Sequence, residues 1–92
     1  MDVIALTARI TGRVQGVSFR AWTRAEAERR GLSGWVRNEP DGSVRALIVG
    51  PARDVDDMVR DLHKGPRAAR VTAVVTEPAD PDPDVEGFRI TY

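Results

Sequence analysis

Cysteine is absent from this chain, and with it go disulfide stapling, thiolate catalysis and any cysteine-ligated metal. The fold has to hold by packing. Histidine occurs once, at His63, with no partner at catalytic or metal-ligand spacing, and reads as the last turn of a helix rather than a base. Net charge is missing too: 14 basic residues balance 14 acidic ones. Nothing in that sum draws the whole chain onto nucleic acid or an anionic membrane, so neither is expected as a partner and any anion must be captured locally. Lysine is confined to Lys64, a compositional bias that carries no functional weight. No long apolar run exists. The stretch Met1 to Thr7 lacks a basic flank and is broken by Thr7 and Arg9, which fits neither a secretory signal nor a membrane span. A cytoplasmic location is expected. Ninety-two residues without internal repeats read as one domain, 1–92, with a single two-layer core.

Residues 3 to 11 alternate, with Ile4, Leu6, Ala8 and Ile10 on one face, as a strand with one buried side would (β1). Phe19 to Arg30 holds good helix formers and a thin apolar face of Phe19, Trp22 or Thr23, and Ala27, and Gly31 supplies a stop (α1). Two strand-like runs, Leu32 to Asn38 (β2) and Ser43 to Val49 (β3), flank Glu39-Pro40-Asp41-Gly42, a hairpin turn with Pro early and Gly where φ turns positive. After Gly50-Pro51, Val55, Met58, Val59 and Leu62 fall at i, i+3, i+4 and i+7, the clearest amphipathic helix in the chain (α2). Asp54, Asp56 and Asp57 enrich its first turns and His63 and Lys64 its last, both in the sense the helix dipole favours. Val71 to Thr76 is a β-branched run (β4). The acidic, proline-rich Glu77 to Asp84 is expected to be a solvated loop, and Phe88, Ile90 and Tyr92 alternate in a closing strand (β5). Trp22 and Trp35 are read as packing groups.

The order β-α-β-β-α-β with one appended strand predicts an α+β, ferredoxin-like (split βαβ) fold: a mainly antiparallel sheet with two helices on one face. In that plan β1 and β2 run parallel, so their C-terminal ends share one edge of the sheet. The loop leaving β1 and the residues that end β2 can therefore converge on one ligand.

β1 leads into Gly12-Arg13-Val14-Gln15-Gly16-Val17-Ser18-Phe19-Arg20. The glycines let the backbone curl, and its amides, with those of a helix first turn, can point at one anion. Arg20 in that first turn opposes the positive end of the helix dipole, a conflict that disappears if a dianion sits between amides and guanidinium. A surface arginine after a tight turn is the simpler reading of spacing alone, because the Gly-Lys-Ser/Thr ending of a nucleotide-binding loop is lacking. Asn38 taken alone is a hairpin residue.

These nine residues and Gly34-Trp35-Val36-Arg37-Asn38-Glu39-Pro40-Asp41-Gly42-Ser43-Val44 resemble the two signature segments of the acylphosphatase family. The likeness extends to Gly50-Pro51 and to the terminal Phe88-Arg89-Ile90-Thr91-Tyr92. It implies the same ferredoxin-like fold and hydrolysis of an acyl phosphate to a carboxylate and inorganic phosphate. By resemblance Arg20 binds the phosphoryl group, Asn38 orients the attacking water, and the amides of Gln15, Gly16, Val17, Ser18, Phe19 and Arg20 form the cradle, their side chains mattering less than their N–H directions. No metal or cofactor is implied, and the expected partners are a small acyl phosphate and phosphate, bound by a monomer. Arg45 departs from the family, where glutamate is frequent. The fold also serves binding modules. RNA recognition fits poorly, since Val44 to Val49 offers no stacking aromatic, whereas an acyl-phosphate or anion sensor needs only the cradle and Arg20. Asn38 separates the two readings, because a sensor has no water to orient.

Overall fold

The alternation that opens the chain becomes strand β1, Val3–Arg13, in a computed structural model that describes residues 2–82 and 84–91. Met1, Pro83 and Tyr92 lie outside the described residues, and with them the Tyr92 end of β5 and one proline of the acidic stretch. Next come α1 (Phe19–Arg29), β2 (Ser33–Asn38), β3 (Val44–Pro51), α2 (Ala52–Leu62), β4 (Arg70–Ala79) and β5 (Phe88–Thr91). The sheet order is β4-β1-β3-β2-β5. β3 pairs antiparallel with both β1 and β2, β4 antiparallel with β1, and β5 parallel with β2. This is the expected ferredoxin-like α+β plan with one strand added beside β2.

One face of the sheet and both helices make the core. Ala8, Ile10, Val36, Val44, Ala46 and Ile48 from the strands meet Phe19 and Ala27 of α1 and Val55, Met58 and Leu62 of α2, all fully buried or nearly so. Of the two candidates for the middle of the α1 face, Thr23 is the buried one, and Trp22 packs half-buried against the Phe19 ring at a centroid distance of 5.5 Å. Burying Phe19 contributes on the order of 2–3 kcal/mol, and because Phe19 is also the first helical residue, the start of α1 is fixed to the core. Its end is fixed by the backbone: the amides of Gly31 and Leu32 donate to the carbonyls of Glu28 and Ala27, a Schellman closure.

Among the boundaries that differ from the sequence expectation, two have a clear physical cause. β1 runs through Gly12 to Arg13, with a bulge between Thr11 and Gly12. At φ 120° and with a Cβ position only 2.1 Å from the Arg70 carbonyl oxygen, Gly12 is required for strand contact with β4, not for curling the loop. β4 continues past Thr76 through Glu77 and Pro78 to Ala79, paired with Thr7, Leu6 and Ala5. Proline is tolerated there because β4 is an edge strand, whose outer side has no ladder to donate to. The acidic loop is therefore shorter than its composition suggested. Among the described residues no helix is long and apolar enough to cross a membrane.

Candidate active site

Because β1 and β2 both run antiparallel to β3, their C-terminal ends meet at one edge of the sheet, and a cleft of about 330 Å³ opens there. It is lined by Val14, Gly16, Ser18, Phe19, Arg20, Ala21, Asn38 and Ile90. The loop after β1 and the end of β2 thus converge as the topology requires. Arg20 and Asn38 share this cleft, as do Gly16, Ser18 and Phe19. Gln15 and Val17 do not line it; Val17 packs half-buried on the core.

The loop backbone is bent in a way few residues accept. Gly16 has φ 74°, and Ser18, the residue before α1, lies in the left-handed region at φ 62°, ψ 26°. A left-handed residue followed by the right-handed residues of a helix makes a concavity of successive N–H groups, the backbone form that binds anions. The Ser18 side chain makes no capping bond, so the usual hydroxyl or carboxylate acceptor does not occupy the amides of the first turn. Nor does α1 have an acidic residue there, in contrast to α2 with Asp54. Arg20 is instead the charged residue of that turn, half-buried at the cleft wall.

Asn38 ends β2 opposite Val44, with its side chain on the helix-facing side of the sheet. Its Oδ1 is buried and accepts no hydrogen bond from the described residues. A buried acceptor left in this state costs about 1–3 kcal/mol, which is reason to look for a role.

Gln15 acts through its side chain. Its Nε2 donates to the carbonyl oxygens of Glu39 at 2.8 Å and Ser43 at 2.9 Å, and since both partners are acceptors, the nitrogen is the atom that faces them. The loop is thereby tied to both ends of the β2–β3 turn, next to Asn38. Side chains here were expected to matter less than N–H directions, and Gln15 departs from that. A long side chain with two donors is the only signal the sequence offered. Ile90 was also missed as a site residue. The parallel pairing of β5 sets it beside Val36, on the same face as Asn38.

Arg45 stands in register with both Arg9 and Arg37, on the sheet face away from the cleft. Asp41 and Glu39 pair with Arg9 and Arg37 respectively, and the Arg37 guanidinium also lies 4.7 Å from the Trp35 ring centroid. The departure at Arg45 thus lies on the opposite face of the sheet from Asn38 and the cleft. Asp41 accepts hydrogen bonds from the Ser43 hydroxyl at 2.6 Å and amide at 2.9 Å. These bonds, with Arg9 beside it, hold its carboxyl down at about 2. His63 is exposed, its ring nitrogen 3.0 Å from the Val59 carbonyl oxygen, and takes no part in the cleft. No group of His, Asp and Glu among the described residues is arranged to hold a metal ion.

The family model for acylphosphatase matches residues 6–90. An acylphosphatase of Rhizobium meliloti (strain 1021) is 59% identical over 90 residues, covering 98% of this chain and 95% of that one. Among solved structures, the acylphosphatase from Bacillus subtilis superposes with a TM-score of 0.92 at 32% identity, over 97% of this chain and 99% of that one. That of Coxiella burnetii superposes with a TM-score of 0.93 at 31% identity, over 98% and 94%. With its fold, its glycine loop and nearly its whole length matched, this chain belongs to the acylphosphatase family and is a hydrolase of that kind.

Proposed function

We propose that the chain hydrolyses acyl phosphates to a carboxylate and inorganic phosphate, with the backbone amides of residues 15–20 and the Arg20 guanidinium holding the phosphoryl group and Asn38 holding the attacking water. The observation that carries this reading is the buried Oδ1 of Asn38, without a hydrogen-bond partner among the described residues, in the cleft that Arg20 also lines. Phosphoryl transfer asks a protein mainly to position the reactants and to stabilise charge on the equatorial oxygens. Amides fixed by a strained backbone do this without reorganising, and the planar guanidinium can grip two oxygens at once. Asn38 Oδ1 accepts one water O–H and so turns a lone pair of the water oxygen toward phosphorus. As the new P–O bond forms, the bond to the acyl oxygen breaks and its electron pair leaves on the carboxylate. The water proton passes to a phosphate oxygen. A carboxylate leaves readily, so no general acid is needed.

The test is phosphate release from a simple acyl phosphate, with an ordinary phosphate monoester as the control that should stay intact. Asn38→Ala separates the two halves of the site: affinity for inorganic phosphate is expected to hold while turnover falls about 10²-fold or more. If turnover falls only in proportion to lost folded protein, Asn38 is a hairpin residue and the assignment is wrong.

A further inference from the structure

The chain carries no net charge, yet four exposed cations gather at the end of the sheet where β1 finishes. Arg13, the last residue of β1, stands directly opposite Arg70, the first of β4. Like charges so placed cost stability. The α2–β4 connection passes beside them: a Cβ on Gly65 would lie 2.9 Å from the Phe19 ring, which seats that connection against the first residue of α1 and the wall of the cleft. Lys64 and Arg67 flank Gly65 in the chain and are exposed, as are Arg13 and Arg70. None of the four is ion-paired among the described residues. The two carboxylates of the hairpin at this end are already paired with arginines.

Acids gather at the other end. α2 begins where β3 finishes, away from the cleft, and carries Asp54, Asp56 and Asp57 in its first turns. β4 also finishes there, opposite Ala5, and leads into Asp80, Asp82 and Asp84. The balanced sum gives no global pull on a polyanion, but it leaves room for a local arrangement of cations at the cleft end.

We propose that Arg13, Lys64, Arg67 and Arg70 form a guiding rim for the cleft. The rim concentrates anionic substrate at its mouth and favours acyl phosphates whose acyl portion carries a further negative charge. This rests on the hydrolytic reading of the site. Focusing of this kind raises encounter rates by about 10- to 10³-fold at low ionic strength, grows with the charge of the ligand, and is lost as the screening length shrinks. It acts through space on the binding of the anion and leaves the turnover of bound substrate alone, because none of the four lines the cleft.

The experiment compares the wild-type chain with R13Q/R67Q/R70Q from about 0.01 M to about 1 M salt, where the Debye length falls from about 30 Å to about 3 Å. Substrates are acetyl phosphate and an acyl phosphate bearing a free carboxylate on its acyl chain, and binding of inorganic phosphate is followed by calorimetry over the same range. At low salt kcat/KM of the variant should drop by about tenfold, more for the carboxylate-bearing substrate, and rejoin the wild type at high salt with kcat unchanged throughout. Phosphate affinity should follow the same pattern. Parallel salt curves for the two proteins, or an equal loss with both substrates, would overturn the rim. A wild-type chain that releases phosphate from neither substrate, while its phosphate binding still differs from the variant in salt dependence, sinks the hydrolytic reading and keeps the rim. If the triple variant does not fold, Arg67→Gln alone, on an exposed turn, should give a smaller shift of the same sign, and no shift counts against the proposal.

Discussion

Ser18 holds a left-handed backbone without being glycine, at a cost of about 1–2 kcal/mol for an L-residue. Such strain persists only where the surroundings impose it. Here they are the buried Phe19 and Val14 on either side of the loop and the Gln15 bonds to the neighbouring turn. In the proposed cradle, what the strain yields is direction for the backbone N–H groups beside Arg20. The guanidinium then adds a planar fork where the amides supply fixed dipoles, and the two are not interchangeable with a flexible ammonium. Arg20→Lys keeps the charge and loses the fork, so kcat/KM for an acyl phosphate is expected to fall about 10²- to 10³-fold, the loss typical of one preorganised donor. Steady-state rates on folded protein check it, and a lysine variant within about threefold of wild type would remove Arg20 from the role given it.

At the scale of elements, the loop after β1 and the β2–β3 hairpin behave as one unit because Gln15 bridges them. Gln15→Leu leaves the backbone amide in place and strands two carbonyl acceptors, at about 1 kcal/mol for each bond lost. It should lower the melting temperature and, by loosening Asn38 against the loop, reduce kcat by up to about 10²-fold while KM changes little. Stability loss with kcat intact would show that the tie is structural only. The hairpin also carries a pH signature. Asp41 titrates from an ordinary value of 3.8 down to about 2, first through the Ser43 hydroxyl and amide and then through Arg9. A depressed carboxylate stabilises the fold above its unfolded pKa, and that contribution fades as pH falls through the folded value. The melting-temperature gap between wild type and Asp41→Asn should thus be full at pH 7, shrink below about pH 4 and be nearly gone at about pH 2; a gap constant over that window would mean the carboxylate charge is idle. These elements also mark what was legible in the sequence. Both helices, the hairpin and the parallel placement of β1 and β2 came from periodicity and turn residues, because local pattern and tertiary role agree there. Gly12 and Pro78 were misplaced since their roles are set by partners: a β4 carbonyl too close for a Cβ, and an outer edge that needs no N–H. Arg20 and Asn38 could be named from the family likeness. The Gln15 clasp could not, because its acceptors are main-chain carbonyls that the sequence does not display.

Across the whole molecule the cleft is where separate elements are joined: the end of β1, the start of α1, the end of β2 and, through Ile90, the closing strand. A ligand held there binds the folded chain and has nothing comparable to hold in the unfolded one, so occupancy must appear as global stability. Inorganic phosphate, as product, should raise the melting temperature. At a concentration about 100 times its Kd the gain is about 2.7 kcal/mol, and for a domain of this size each kcal/mol moves the midpoint by about 4–8 °C. A rise of about 10–20 °C is expected on the same scale, against little change in chloride at equal ionic strength. Arg20→Gln should lose most of that phosphate-specific rise, since the loop amides remain but the bidentate partner is gone. If chloride stabilises as well as phosphate, or if Arg20→Gln keeps the full rise, the stabilising anion is not held between Arg20 and the loop, and the electrostatic reading of the strained backbone at Ser18 loses its ligand.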